Sequence, residues 1–471
     1  MDNLEDDIRQ LVREVIVNMK IAPESGEHTE KMGMFSSIDA AVDAAEKAFG
    51  EMNAVTLETR RLIIANMRKF SYAHNEIYSK MACEETGFGR VADKIIKNEL
   101  AIRKTPGVED IEAKAWSDDD GLTLLERAPY GVIGSITPST NPTATIISNA
   151  IGMVAAGNAV VFNPHPAAKK VSAYLINLLN QAIVEAGGPE NLLCCITNPT
   201  IDSAKIMMAH RKIAILVVTG GPAVVKTAMN GGKKVIAAGP GNPPVVVDET
   251  ADIAKAAKNI VDGASFDNNV ICICEKEILC VASVADELKA GMKQHGAYEL
   301  NEEQIKRITD IVISEPGSRG NEGAASKIYV GKSAAFIGRS INLELPETTR
   351  LLLCEVGPDH PLVWTEQLMP VMPLVRVNNV DEAIDLAVDV EHGFRHTAIM
   401  HSLNIAKLSK MARAMNCSIF IKNGPSYAGL GQGGAGFASF TIASPTGEGV
   451  TRPRTFTRER RCTLVDYFRI V

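Results

Sequence analysis

Residues 132–163 read VIGSITPSTNPTATIISNAIGMVAAGNAVVFN, and this stretch decides the fold class. Two short apolar runs, 132–137 and 159–163, flank a longer segment of helical periodicity at 143–156, which predicts a strand, a helix and a second strand. The alternation continues with strands predicted at 192–197, 213–219 and 234–237 and helices at 168–186, 201–210 and 223–230. Because strands that alternate with helices form parallel sheets covered on both faces, the sequence predicts an α/β fold with a mostly parallel sheet.

Three helical segments precede this stretch, and a second α/β unit follows it. The preceding helices are predicted at 38–52, 56–86 and 91–105. Ser36 or Ser37 can cap the first of them. The second α/β unit is predicted to begin near Val270, and Asn301 with Gln304 forms a capping pair for one of its helices. Its strands are predicted at 271–282, 334–337, 371–377, 397–401 and 418–421.

Length and composition exclude several classes of protein. The chain has 471 residues, 46% apolar and 22% charged, which is ordinary for two or three globular domains. The net charge of −7 is spread along the chain, so nucleic-acid binding is not expected. Nine cysteines, an odd number without regular spacing, predict reduced thiols in the cytoplasm. No apolar run reaches the roughly 18 residues of a membrane-spanning helix, so no membrane association is expected.

The N-terminal segment differs from the rest of the chain. Residues 1–20 have an amphipathic helical pattern, and residues 21–33 form a polar linker with Pro23, Gly26 and Gly33. Because an isolated helix of this length is marginal in water, it should dock on another surface. Taken alone, the residues equally support docking on the chain's own body or a sister subunit and docking on a partner as a targeting peptide.

Two segments could carry chemistry, and neither decides a function by itself. Thr219–Pro222 lies between a predicted strand and a predicted helix, where glycines admit a ligand and the helix N-terminus favours an anion. The alternative is a glycine turn with no ligand. Cys272 and Cys274 lie at the boundary of a helix and a strand, where reactive side chains are often held. The alternative is inert core, since free cysteine is among the most buried residue types.

Longer motifs carry more information. The chain contains GSITPSTNP (134–142), SFDNNVICICEK (265–276), EHG (391–393), RHTA (395–398), GPSYAGLG (424–431) and PTGEG (445–449). In these motifs and their order, the chain resembles the aldehyde dehydrogenase superfamily over nearly its whole length after the linker. Within the superfamily it is most similar to the CoA-acylating acetaldehyde and propionaldehyde dehydrogenases of bacterial microcompartments.

The resemblance implies an aldehyde dehydrogenase-like α/β fold in three parts. A Rossmann-type NAD-binding domain is expected at 34–239 and a second, catalytic α/β domain at 240–430. The third part is a small β flap for oligomerisation, formed by a hairpin at about 119–130 and the C-terminal segment 431–471. A homodimer or homotetramer is therefore expected.

The resemblance also assigns roles to individual residues. Cys272 matches the nucleophile, and Asn141 matches the side-chain amide that forms the oxyanion hole with the Cys272 backbone N–H. Glu366 matches the carboxylate that holds the nicotinamide ribose. The residues expected to bind the cofactor are Thr137, Pro138, Ser139, Thr140, Asn163, His165, Thr219, Gly220, Gly221, Gly239 and Glu366. No metal is expected, because the reaction consists of thioester exchange and hydride transfer.

Two departures from the hydrolytic members refine this expectation. Ala237 stands where those enzymes have a glutamate that activates water, and a general base typically contributes about 100- to 10,000-fold. Its loss favours transfer of the acyl group to the thiol of coenzyme A. Asn163 stands where many relatives have a lysine that binds the adenosine ribose. The preference for NAD over NADP as cofactor is therefore left open.

The expected activity is therefore oxidation of a short-chain aldehyde, preferably propionaldehyde, with NAD and CoA to acyl-CoA and NADH. Three alternatives remain: hydrolysis to the free acid, a catalytically silent scaffolding relative, and an enzyme that mainly reduces acyl-CoA. The microcompartment likeness favours residues 1–20 as a targeting helix that binds shell or core proteins. The expected location is the cytoplasm, inside a bacterial microcompartment.

Overall fold

The cofactor half of the chain is built on a six-stranded parallel sheet, as predicted. The computed structural model describes residues 32–471, so the predicted helix at 1–20 lies outside the described residues. In spatial order the strands are Met34–Phe35, Leu193–Ile196, Ala159–Pro164, Val132–Thr137, Ile213–Thr219 and Lys234–Ala238. The sequence pattern misses only the edge strand Met34–Phe35, which has two residues and is too short to show periodicity.

Helices cover this sheet close to where the sequence places them. They are Ile38–Met52, Leu57–Ala73, Asn75–Thr86, Val91–Lys104, Pro142–Ala155, Lys169–Glu185, Ile201–Ala209 and Pro222–Met229. Ser37 caps the first, since its side chain accepts a hydrogen bond from the Ala40 N–H at 3.3 Å. The single pattern predicted at 56–86 is divided in two at His74, whose ring contacts the Tyr174 hydroxyl at 2.7 Å.

The second half contains a seven-stranded parallel sheet. Its strands, in spatial order, are Ala297–Glu299, Leu351–Glu355, Val371–Val377, Glu277–Val281, Pro244–Val247, Thr397–His401 and Ile419–Lys422. The expectation that this unit begins near Val270 is wrong, because Pro244–Val247 already pairs with two of these strands. The helices are Ile253–Ala264, Ala282–Gln294, Glu302–Val312, Ala334–Arg339, Val380–Val390 and Ile405–Met415.

One capping prediction in this half is confirmed and one strand prediction is wrong. Asn301 and Gln304 form the predicted capping box, with reciprocal hydrogen bonds of 2.9 and 3.0 Å. Residues 334–337, predicted as a strand, instead begin the helix Ala334–Arg339. Ser333 caps this helix by accepting from the Phe336 N–H at 3.2 Å. Four apolar residues do not distinguish a buried strand from a short buried helix, so the capping side chain decides.

The predicted strand at 271–282 is also wrong in its first half. Only Glu277–Val281 pairs with neighbouring strands, whereas Ile271–Cys274 lies in a turn. The Lys276 ammonium donates to the Ile271 carbonyl oxygen at 3.3 Å. The Cys274 N–H also donates to this oxygen, at 3.1 Å, so the turn satisfies the Ile271 carbonyl without a partner strand.

A three-stranded antiparallel sheet forms the flap. Lys114–Asp118 and Gly121–Pro129 make a hairpin that begins earlier than the predicted 119, and the C-terminal strand Thr457–Val465 pairs along the second strand from Pro129 to Gly121. Two further sheets are small antiparallel pairs: Ile313–Glu315 with Ala324–Ala325, and Ile442–Ala443 with Gly449–Val450. Among residues 32–471, no helix is long and apolar enough to cross a membrane.

Candidate active site

A cavity of about 520 Å³ lies between the carboxyl ends of strands of the first sheet and two segments that precede strands of the second sheet. Three loops that directly follow strands of the first sheet line one side of it: 138–141, 219–222 and 238–240. Residues 270–273 and 366–368 of the second half line the other side. Ligands in α/β proteins bind at the carboxyl ends of parallel strands, so the side formed by the first sheet is the expected place for a cofactor.

The structure brings nearly all predicted site residues together here. The cavity is lined by Pro138, Ser139, Thr140, Asn141, His165, Thr219, Gly220, Gly221, Gly239, Cys272 and Glu366. Thr137 and Asn163 do not line it. Thr137 is buried at the end of its strand, and its hydroxyl has no hydrogen-bond partner within residues 32–471. The Asn163 side-chain oxygen accepts from the Ser203 hydroxyl at 2.7 Å.

A left-handed turn positions Cys272. Asp267, Asn268 and Asn269 have φ angles of 49°, 53° and 63°, a region that few residues other than glycine adopt. Asn269 holds the turn by donating to the carbonyl oxygens of Ala264 at 2.7 Å and Glu275 at 2.8 Å. Three strained residues in succession persist only where surrounding contacts over-determine them, as at many functional sites.

The surroundings of Cys272 raise the pKa of its thiol. Burial raises the pKa of Cys272 to about 12, and the neighbouring Glu366 carboxylate adds to the rise. The Lys276 ammonium and the backbone N–H groups of Cys272 and Ile273 act in the opposite direction. Burial also raises the pKa of Glu366 to about 7. The thiolate is the nucleophilic form, so these groups control the reactivity of Cys272.

Cys274 has a different position from Cys272. It is 1% exposed, does not line the cavity, and has a pKa raised to about 12 by burial. Its separation from Cys272 does not come from strand alternation, because the segment between them is a turn. The structure nevertheless leaves Cys272 as the one cysteine that lines this cavity, among residues 32–471.

Carboxylates are scarce around the cavity. Ala237, which stands where the hydrolytic members have a water-activating glutamate, is fully buried in its strand, and its N–H donates to the Thr446 hydroxyl at 3.0 Å. Glu366 is the only acidic residue among the lining residues of the described chain. The rest of that lining is mainly apolar: Phe88, Val270, Ile271, Ile273, Val330, Leu368, Leu430, Phe440 and Ile442.

Sequence reasoning missed the side chains behind Asn141. Lys97 is 1% exposed, and its ammonium donates to the Asn141 side-chain oxygen at 2.8 Å and to the Asp267 carboxylate. Burial lowers the pKa of Lys97 to about 8. The sequence does place Lys97 and Lys94 on the same helix face as the buried Leu100 and Ala101, and this position indicates that both lysines are buried. A lysine on an apolar face needs a buried partner.

The described geometry can be compared with that of known proteins. The aldehyde dehydrogenase family matches residues 20–439, most of the chain. This chain belongs to the aldehyde dehydrogenase family. Among curated relatives, the acetaldehyde dehydrogenase (acetylating) EutE of Salmonella typhimurium is 51% identical over 468 residues, which cover 99% of this chain and 100% of that protein. The predicted family and fold class are thereby confirmed.

Two solved structures of family members are similar throughout. The propionaldehyde dehydrogenase of Rhodopseudomonas palustris, with bound CoA and an acylated cysteine, matches with a TM-score of 0.89 and 49% identity. The match covers 92% of this chain and 98% of that structure. A propionaldehyde dehydrogenase from the fucose utilisation bacterial microcompartment of Clostridium phytofermentans has a TM-score of 0.90 and 46% identity. This second match covers 93% of this chain and 100% of that structure.

Proposed function

We propose that this aldehyde dehydrogenase oxidises a short-chain aldehyde and transfers the acyl group to coenzyme A through a thioester on Cys272. The observation that carries the proposal is the shared cavity of Cys272 and Asn141, with Glu366 as its only acidic residue in the described chain. The predicted reaction class is confirmed by relatives named for acetylating and CoA-propanoylating activity and by the acylated cysteine beside bound CoA in one of them.

The chemistry begins at the Cys272 sulfur. The thiolate adds to the aldehyde carbonyl carbon and forms a thiohemiacetal, whose oxyanion is held by the Asn141 side-chain amide and the Cys272 backbone N–H. Bound NAD supplies the acceptor for the hydride that leaves this carbon. The Cys272 thioester is then attacked by the thiol of CoA, which releases acyl-CoA and returns the cysteine. A carbonyl oxygen becomes negative in both halves of the reaction, so the same donors serve twice.

The cofactor residues fit a dinucleotide on structural grounds. A Cβ added to Gly221 would meet no atom within 4 Å, and one added to Gly220 would meet only Val224 at 3.9 Å. Both glycines precede the helix Pro222–Met229, whose N-terminal N–H groups favour a phosphate. Glu366 offers a carboxylate to a ribose hydroxyl. These residues would hold NAD or NADP, and the preference for NAD remains a prediction.

The first test is NADH formation from NAD and propionaldehyde, with and without CoA, while the thioester product is followed. We expect sustained turnover only with CoA, and propionyl-CoA formed in step with NADH. Without CoA, NADH should stop at about one equivalent per active site. Sustained NADH formation without CoA would establish hydrolysis and a base other than residue 237. No reaction in either direction would favour a silent scaffold.

The substrate class is a two- or three-carbon aldehyde. The relatives divide between acetaldehyde and propanal, and one methylene in an apolar pocket changes specificity by only about 1–3 kcal/mol. The preference for propionaldehyde is tested by kcat/KM for the two aldehydes under identical conditions. A higher kcat/KM for acetaldehyde would overturn it.

The flap supports a homodimer or homotetramer. Large apolar side chains at its strands and beyond its last strand are exposed: Trp116 at 52%, Tyr467 at 77%, Phe468 at 67%, Ile470 at 93% and Val471 at 97%. Clustered exposed apolar residues mark interfaces. Light scattering should give a molar mass that is a multiple of 50.6 kDa. The double variant Tyr467→Ser with Phe468→Ser should have a lower molar mass. A monomeric full-length chain would refute this proposal.

Residues 1–20 are proposed to bind shell or core proteins of a microcompartment. The support is their amphipathic pattern and the microcompartment origin of one structural relative. A chain that lacks residues 2–20 should keep its activity and lose co-sedimentation with shells of the host. An inactive or aggregated truncated chain would instead place these residues in the fold or in a subunit contact.

A further inference from the structure

A cluster of buried charges lies directly behind the site. The helix Val91–Lys104 presents Lys94 and Lys97 on one face, and each is 1% exposed. Both ammonium groups donate to the carboxylate of Asp267, which is fully buried, and the Lys94 contact measures 3.0 Å. The Arg90 N–H also donates to Asp267, at 2.9 Å. None of these side chains lines the cavity.

Lys97 alone in this cluster reaches the site itself. Its ammonium donates to the Asn141 side-chain oxygen at 2.8 Å, whereas Lys94 contacts only Asp267. An ammonium group has three donors and no acceptor, so it can face only the oxygen end of an amide. The Asn141 nitrogen must therefore point the other way, where it contacts the hydroxyl of the cavity-lining Thr140 at 3.3 Å.

The same cluster holds the backbone that carries Cys272. Asp267 starts the left-handed turn and lies five positions before Cys272 in the chain. Lys97 thus joins the Asn141 side chain to the segment that presents the Cys272 N–H. These are the two donors proposed for the oxyanion, and one buried cation fixes both relative to each other.

Stability alone does not account for this arrangement. Burying an ion pair costs desolvation free energy that the pairing often fails to repay, and apolar replacements of similar volume are commonly as stable. Two lysines around one carboxylate also leave a net positive charge in the core. A charge kept at that cost is more readily explained by orientation of a reacting group.

We propose that Lys97 is a positioning residue for the reaction: by donating to the Asn141 side-chain oxygen, it turns the Asn141 nitrogen toward the substrate and sets the oxyanion hole. The inference rests on the proposed role of Asn141. Without Lys97 the amide can rotate and present its oxygen to the oxyanion, which removes one of the two donors. Loss of one such donor typically lowers the rate by about 100- to 1,000-fold.

The test compares Lys97→Met with Lys94→Met. Both variants remove a buried cation and one contact to Asp267, but only Lys97→Met removes the contact to Asn141. The measurement is the single-turnover formation of NADH by the holoenzyme with saturating aldehyde and no CoA. We expect the single-turnover rate to fall by about 100-fold or more in Lys97→Met and by less than about tenfold in Lys94→Met. Equal losses in the two variants would overturn the proposal.

A double-mutant comparison isolates the path through Asn141. If Lys97 acts by orienting that amide, adding Lys97→Met to a chain that already carries Asn141→Ala should not lower the single-turnover rate any further. Losses that multiply would mean that Lys97 acts independently, and the proposal would fail. If Asn141→Ala itself has no effect, the proposed oxyanion hole is wrong, a result distinct from failure of the Lys97 proposal.

Two further measurements guard against a collapsed site. Alkylation of Cys272 by iodoacetamide forms no oxyanion, so Lys97→Met should be alkylated within about twofold of the wild-type rate. Lys97→Gln keeps a donor on a side chain one atom shorter and should have a single-turnover rate at least tenfold above that of Lys97→Met. If Lys97→Met does not fold, the Lys97→Gln result decides: a rate as low as that of Asn141→Ala would refute the positioning role.

Discussion

The two sides of the cavity are built in opposite ways. One side, which we call the glycine wall, consists of 219–222 and Gly239, and at Gly220 and Gly221 the backbone itself is open to a ligand. The other, the cysteine wall, consists of 270–273, and it follows a strained turn at 267–269 that buried Lys97 and Lys276 hold in place. Binding a dinucleotide requires room beside the backbone, whereas forming and breaking a thioester requires one sulfur and two donors at fixed positions.

The comparison predicts its largest effect at the sulfur. Cys272→Ala should lower kcat by at least about 10,000-fold, because no other group can carry the acyl chain. Cys274→Ala is the matched control, since it is two residues away, buried and also has a pKa raised to about 12. It should keep most activity. The measurement is steady-state acyl-CoA formation, and an active Cys272→Ala would break the assignment of the cysteine wall.

A second prediction concerns the pH dependence of Cys272. Its pKa of about 12 lies above the usual range for a cysteine, so the neutral thiol dominates below that pH. Alkylation of Cys272 in the cofactor-free protein should therefore accelerate about tenfold per pH unit between pH 7 and 10. Peptide mass analysis gives the rate, with the exposed Cys462 as an internal reference. A plateau below pH 9 would contradict the prediction.

Glu366→Gln sharpens the same measurement. The carboxylate has a pKa of about 7, so it is ionised at pH 9, and its negative charge opposes formation of the thiolate. Its removal should speed Cys272 alkylation at pH 9 by up to about tenfold, the equivalent of one pKa unit. The gain should shrink below pH 7, where the wild-type carboxylate is already protonated. Slower alkylation at pH 9 would show that Glu366 assists the thiolate.

The smallest predicted effect is on the glycine wall. Gly221 has φ −65° and ψ 165°, which alanine adopts freely, and an added Cβ meets no protein atom. Gly221→Ala should leave the thermal midpoint unchanged or raise it, because alanine restricts the unfolded chain. The KM for NAD should rise at least about fivefold, since an overpacked contact costs about 1–3 kcal/mol.

Gly357→Ala is the control for this variant. Gly357 also has no atom within 4 Å of an added Cβ, and it does not line the cavity. Its KM for NAD should stay at the wild-type value. If both variants raise KM equally, the glycine wall does not contact the cofactor.

The two walls also differ in how well the sequence predicts their secondary structure. The glycine wall follows from local pattern, because strand, turn and helix at 213–230 are set by residues within one short stretch. The cysteine wall does not. Its sequence predicts a strand instead of a turn, since an apolar run such as 270–273 gives no sign that the Lys276 ammonium will donate to the Ile271 carbonyl oxygen or that Asn269 will bond the Ala264 and Glu275 carbonyl oxygens. Only the resemblance to a family singled out Cys272 from the remaining cysteines.

By itself, the amino-acid sequence determined the parallel α/β fold, most helix and strand positions, the family and eleven lining residues, because periodicity and motifs are local properties of the chain. Only the tertiary structure decided that Lys97 meets Asn141, 44 positions away, and Asp267, 170 positions away. It also decided the shifted pKa values of Cys272 and Glu366. Burial and pairing depend on which groups the fold brings together, and no local pattern records them.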